Sequence, residues 1–137
     1  MDTSPEYINM CRQANELQEM WEPMQGDFYY NDFIKIINIM KDHLQFNRDK
    51  QKGYSDAIWL PRIDQLITLL NEAQNEELHD AGQRFSECSE LDTLGSIFHN
   101  CAVGDYYDKE TFTVEQLFLV ELYDTKYNKS WDGDDWI

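Results

Sequence analysis

The chain is poor in the residues that staple, break or punctuate small folds. Of its 137 residues, three are cysteine, three proline and six glycine. Cys11, Cys88 and Cys101 are odd in number and form no CxxC, which argues against a disulfide framework and against a zinc knuckle. Basic residues are scarce as well: 11 Lys and Arg stand against 27 Asp and Glu, a formal net charge of −16. Such a surface repels phosphate backbones, so direct nucleic-acid binding is not expected. No window approaches the roughly 18 apolar residues of a membrane span, and the start, MDTSPEYINM, has no basic n-region. With unpaired cysteines, the expected compartment is a reducing cytoplasm. Internal repeats and low-complexity linkers are missing too, so one domain over residues 1–137 is expected.

The motifs of common chemistries are equally lacking. GxSxG, the phosphate-binding GxxxxGK[ST], GxGxxG and HExxH do not occur. The three histidines, His43, His79 and His99, include one close His/Cys pair, His99 and Cys101, short of the four ligands a zinc site needs. Carboxylates are so abundant that no pair stands out as acid and base. The sequence therefore names no catalytic, cofactor-binding or metal-binding residue, and a non-enzymatic role is expected. A small-ligand binder or an enzyme without a recognisable motif is the alternative.

What is present is core material. Hydrophobic residues make up 42 % of the chain and aromatics 14 %, which separates it from disordered acidic proteins. Ser4, Pro5 and Glu6 read as a helix start, followed by Met10, Ala14, Leu17 and Trp21 at helical spacing and stopped by Pro23. Residues 26–44 are ambiguous. Phe33, Ile36, Ile37, Met40 and Leu44 would make a helical face, but the isoleucines, the tyrosines and the Asn31-Asp32 turn favour a hairpin. Strands at Phe28–Tyr30, Phe33–Ile39 and Ser55–Leu60 are expected.

The polar stretch at 45–56 reads as a loop. Lys41, Arg48, Lys50 and Lys52, with His43 nearby, form the basic cluster there. Pro61 is placed to start a helix whose buried stripe is Ile63, Leu66, Ile67 and Leu70. Residues 75–104 read as helix broken near Gly82, with Phe85, Leu91, Leu94, Ile97 and Phe98 inward. Thr113 and Gln116 have capping-box spacing ahead of a last helix with a broad apolar face. The fold expected is α+β, three or four helices packed on a small antiparallel sheet, with an all-α fold as the alternative.

The ending KSWDGDDWI looks like a calcium loop, but an EF-hand requires a bidentate Glu at its twelfth position, and Ile137 comes five residues after Asp132. A turn at Asp132-Gly133, with Trp131 and Trp136 folding back on the last helix as a clasp, explains the same residues.

Three stretches resemble a family of small uncharacterised phage and prophage proteins. They are IWLPRIDQL at 58–66, VEQLFLVELYDTKYNKSWDGDDWI at 114–137 and EYINMCRQANELQEMWEPMQGDFYY at 6–30. Trp59, Pro61, Asp64 and Gln65 carry the first motif. The resemblance implies a mobile-element origin and expression in the host cytoplasm. It carries no catalytic or ligand-binding residue. Taken with the charge, it predicts an accessory protein that binds a host or phage protein, with a basic protein as the partner the charge favours. A sharper form is an inhibitor that mimics nucleic acid and blocks a host defence or DNA-binding protein. No cofactor is expected.

Overall fold

A computed structural model describes residues 1–44, 46–47, 56–80 and 112–137. It is α+β, with four helices and a three-stranded antiparallel sheet among the described residues. The helices are α1 (Pro5–Gln13), α2 (Asn15–Met20), α3 (Ile63–Asp80) and α4 (Val114–Tyr127). The strands are β1 (Phe28–Asn31), β2 (Ile36–Ile39) and β3 (Ala57–Leu60), in the order β2-β1-β3. No helix among the described residues is long and apolar enough to cross a membrane. Backbone contacts divide the chain into two compact units.

One unit holds Thr3–Arg62 and Gly133–Trp136. Its first helix begins as the sequence predicts: the Ser4 hydroxyl accepts from the Tyr7 N–H at 3.1 Å and Pro5 occupies the first turn. It does not run on to Trp21. At Ala14 (ψ 65°) the helix breaks, and the Ala14 N–H turns to the carbonyl of Cys11. Propensity favours the unbroken form, since alanine is the strongest helix former. The break is held by side chains that take up the carbonyls it releases. The Gln18 amide donates to Cys11 O at 2.9 Å, and the Trp136 indole N–H donates to Met10 O at 3.1 Å. A buried carbonyl left unmet would cost about 1–3 kcal/mol.

Gln18 also closes one side of the sheet. Its amide oxygen accepts from the Trp59 N–H at 2.8 Å, and its NH₂ donates to Trp59 O at 3.1 Å. These backbone groups of Trp59 face away from β1, so a side chain stands where a fourth strand would pair at that residue. Tyr7, Met10, Cys11, Leu17, Trp21 and Leu60 are buried in this unit, and α1 packs on β3. Asp27, 2 % exposed, ties the segment before β1: its Oδ2 accepts from the Trp21 indole at 3.0 Å and from Met24 N at 2.9 Å. Arg62 approaches the other oxygen at 3.9 Å and donates to Gly26 O at 2.9 Å.

The other unit holds Met1–Asp2, Ile63–Asp132 and Ile137. Here α3 and α4 pack along each other, and Leu66, Leu70 and Ala73 of α3 and Phe118, Leu119, Leu122 and Tyr123 of α4 are buried. The capping box at Thr113 and Gln116 has both of its bonds. Asp2 reinforces it, accepting from the Thr113 hydroxyl at 2.6 Å and the Gln116 amide at 2.9 Å. Asn128 ends α4 in the left-handed region at φ 52°, a conformation asparagine tolerates. Ser130 and Ile137 exchange backbone hydrogen bonds of 2.8 and 3.0 Å, closing the tail into a loop.

Three boundaries differ from expectation. Helix α3 starts at Ile63 rather than Pro61, whose carbonyl instead accepts from the Tyr7 hydroxyl at 2.7 Å. It runs unbroken from Ile63 through Asp80, so the helix expected after Pro61 and the start of the helix expected over residues 75–104 are one element. Strand β2 starts at Ile36, because residues 32–35 form the turn. The predicted inward residues Phe85, Leu91, Leu94, Ile97 and Phe98 lie outside the described residues, as do Arg48, Lys50, Lys52, Cys88, His99 and Cys101.

Candidate interaction surface

The hairpin of β1 and β2 presents large apolar side chains outward, and its turn chemistry explains why. Asn31 is a turn-initiating residue. Its side-chain oxygen accepts from Phe33 N at 3.0 Å and Ile34 N at 3.1 Å, while its carbonyl accepts from Lys35 N at 2.8 Å. Lys35 closes the turn at φ 59°, in the left-handed region that lysine enters rarely. The Asp32 carboxylate steadies that geometry, 2.8 Å from Lys35 Nζ and 3.0 Å from Arg12 Nη2. The backbone N–H of Asp32 donates to Asp56 O at 2.8 Å. The turn thus lifts Phe33 and Ile34 away from the sheet, 80 % and 53 % exposed. Sequence pattern assigned them to a strand, because β-branched and aromatic residues look like strand wherever they occur.

The bonds to Lys35, followed by those to Arg12, hold the Asp32 carboxyl below its ordinary value, with partial burial opposing them. A depressed folded value stabilises above the unfolded value, and the gain disappears as pH falls through the folded one. Asp32→Asn should therefore flatten the acid side of the stability curve below about pH 4 and change neutral-pH stability by under about 1 kcal/mol, since the group is over a third exposed. Urea melts at several pH values read this directly. An acid limb identical to that of the wild type would remove Asp32 as the fastener of the turn.

Strand β2 is an edge. Met40 donates to Asp27 O at 2.7 Å and accepts from Gly26 N at 2.9 Å, so its backbone faces β1. Facing alternates along an antiparallel strand. Ile36 and Asn38 therefore bond β1, in register with Asn31 and Tyr29, while Ile37 and Ile39 turn their N–H and C=O groups outward. No hydrogen bond reaches those outward groups among the described residues. Ile36 and Ile39 are about half exposed. Next to the end of β2 a shallow depression of about 380 Å³ is lined by Tyr29, Asn38, Met40 and Phe46, among others.

On the sheet face, register sets Trp59, Tyr29 and Asn38 side by side. Trp21 stacks on Trp59 with centroids 6.0 Å apart and planes 3° from parallel, and Phe46 lies 5.4 Å from Trp21 and 5.5 Å from Tyr29. The Trp59 indole N–H is buried without a hydrogen-bond partner.

The motif residues fall into structural positions. Trp59 and Pro61 are buried in the sheet unit. Asp64 sits exposed in the first turn of α3, where a carboxylate suits the positive end of the helix dipole, and Gln65 is half-buried beside it. Of the terminal residues, Trp136 is 6 % exposed and reaches the carbonyl of Met10 in α1, where the last helix was the expected partner. Trp131 is half-buried and Asp132 exposed. Gly133 adopts φ 112°, as the turn at Asp132-Gly133 requires. Among the described residues no group of three or more His, Cys, Asp or Glu is placed to share a metal ion. Sequence reasoning missed Gln18 and Asp27, and read Asn31 as a turn residue without its side-chain bonds. Only Asn31, next to an aspartate in a turn pair, carried a local signal.

No family model matches the chain, and no solved structure matches it. Over 91 residues, 66 % of this chain, it is 30 % identical to the Arabidopsis thaliana protein Berberine bridge enzyme-like 22. The chain spans 16 % of that protein's length. A likeness to so small a part of a longer protein assigns this chain neither a family nor an activity.

Proposed function

We propose that the protein is a non-enzymatic, acidic interaction module, an accessory protein of phage or prophage type working in the host cytoplasm on a host or phage protein with a basic surface. The exposed hairpin carries this reading. Monomeric proteins rarely expose contiguous apolar patches larger than a few hundred Å², and the turn at Asn31 holds Phe33 and Ile34 out next to half-exposed Ile36. A net charge of −16 would steer a basic partner towards the molecule. The test is capture from bacterial lysate on immobilised protein, eluted with rising salt. Expected is a basic protein held at about 50 mM salt, released by about 500 mM as charges are screened, and lost from the Phe33→Ser/Ile34→Ser variant. Recovery of no basic protein sinks the reading.

The nucleic-acid-mimicking form is favoured by one feature of α3. Asp64, Glu72 and Glu76 are exposed along α3, with Glu72 and Glu76 about 6 Å apart along the axis. In that form the captured partner binds DNA, and duplex DNA displaces it.

A further inference from the structure

We infer that the open edge of β2 pairs with the same edge of a second copy of this chain, antiparallel and centred on Asn38. Three observations converge on this occupant. First, the outward backbone groups fit each other. Only Ile37 and Ile39 of the strand face out, and a two-fold axis through Asn38 sets Ile37 opposite the second copy's Ile39, and the reverse. Both are pairs of the type that exchange two hydrogen bonds, so every outward N–H and C=O of the strand is met.

Second, the side chains fit in the same register. Side chains directly opposite lie on one face of a sheet. Half-exposed Ile39 meets Ile37 of the second copy and Asn38 meets Asn38, while half-exposed Ile36 stands opposite Met40, which is buried in its own copy. An axis placed half-way between residues would set opposed side chains on different faces, which the pleat forbids.

Third, the charge allows it. In a chain of net charge −16, the stretch from Phe33 to Lys41 carries no carboxylate. Two copies therefore meet where their acids are absent. Lys35 and Lys41 face each other across the ends of the pair, where the Lys35 ammonium is paired with Asp32 at 2.8 Å, a carboxylate it shares with Arg12.

The exposed parts of Phe33, Ile34, Ile36 and Ile39 amount to roughly 460 Å² per copy, at about 200 Å² for a large side chain. Twice that is below the roughly 1,200 Å² of a standard interface, which sets the pair in the weak, reversible class. The inference does not rest on the basic-partner reading, and salt separates the two. Binding to a basic partner weakens as salt screens attraction, whereas pairing of two acidic copies strengthens as salt screens repulsion.

The test is sedimentation equilibrium of the full chain between about 10 μM and about 1 mM, at about 50 and 500 mM salt, joined to amide hydrogen exchange by NMR. Expected is an average mass that climbs from one copy towards two with concentration, further along at high salt. The Ile37 and Ile39 amides should become protected over the same range. Ile39→Lys should return the mass to that of one copy. Mass of a single copy at every concentration and both salts overturns the inference. So does a dimer in which the Ile37 and Ile39 amides exchange as freely as in dilute solution. The exchange measurement uses the unaltered protein, so a variant that fails to fold does not decide the matter.

Discussion

Replacing Trp136 with alanine should lower the melting temperature by about 10 °C or more. Two losses combine. The indole is 6 % exposed, and deleting a buried ring of that size costs about 3–5 kcal/mol. Its N–H also serves the carbonyl of Met10, which the helix break at Ala14 has released from its ordinary partner. For a chain of this length each kcal/mol moves the midpoint by about 3 °C. Trp136→Phe separates the two parts, keeping most of the ring and losing only the hydrogen bond, for about 1–2 kcal/mol. Removing residues 131–137 should cost at least as much as Trp136→Ala. Thermal melts followed by circular dichroism would check all three. A truncated chain that melts with the wild type would mean that the tail is free, and Trp131 and Trp136 would then be candidates for partner contact.

Asp27→Ala should cost about 2–4 kcal/mol, a large effect for a single carboxylate. The oxygen that disappears holds the Trp21 indole and the Met24 amide. Both donors lie at the turn into β1, and the Trp21 ring is stacked on Trp59, so the loss extends into the aromatic cluster. Arg62 keeps its bond to Gly26 O in the variant, which limits the damage on that side. Asp27→Asn retains an acceptor oxygen and should fall between the two. Urea unfolding gives the difference from the shift in midpoint. A loss below about 0.5 kcal/mol would show that water replaces the carboxylate at little cost, and Asp27 would no longer count as the fastener of that turn.

The parts legible in the sequence are those written in local chemistry. Ser4-Pro5 marks the start of α1 and Thr113 with Gln116 the start of α4, because a cap is satisfied by residues three positions away. The α+β class was legible from the β-branched residues around Asn31-Asp32. The strand limits were not, since Phe33 and Ile34 have strand character but stand in the turn that the Asn31 side chain holds. The break at Ala14 was illegible for a stronger reason. Alanine and its neighbours all favour helix, and what holds the break are Gln18, with Trp59 beyond it, and Trp136, over a hundred residues away. Long-range bonds overrode local preference there. The surface was half legible: its acidity is composition, but its apolar hairpin depended on turn geometry.

The Gln18 cap on β3 sets a limit on how this sheet can grow. A sheet open at both edges has a valence of two and can propagate by adding strand after strand, the geometry of fibrils. Here one edge is occupied by a side chain of the same chain, hydrogen-bonded to both backbone groups of Trp59. That leaves a valence of one at β2. When the strand added is β2 of a second copy, the joined sheet carries a Gln18 cap at each end. A single glutamine amide thus sets where growth stops, and the chain keeps one sticky edge without becoming a monomer for polymerisation.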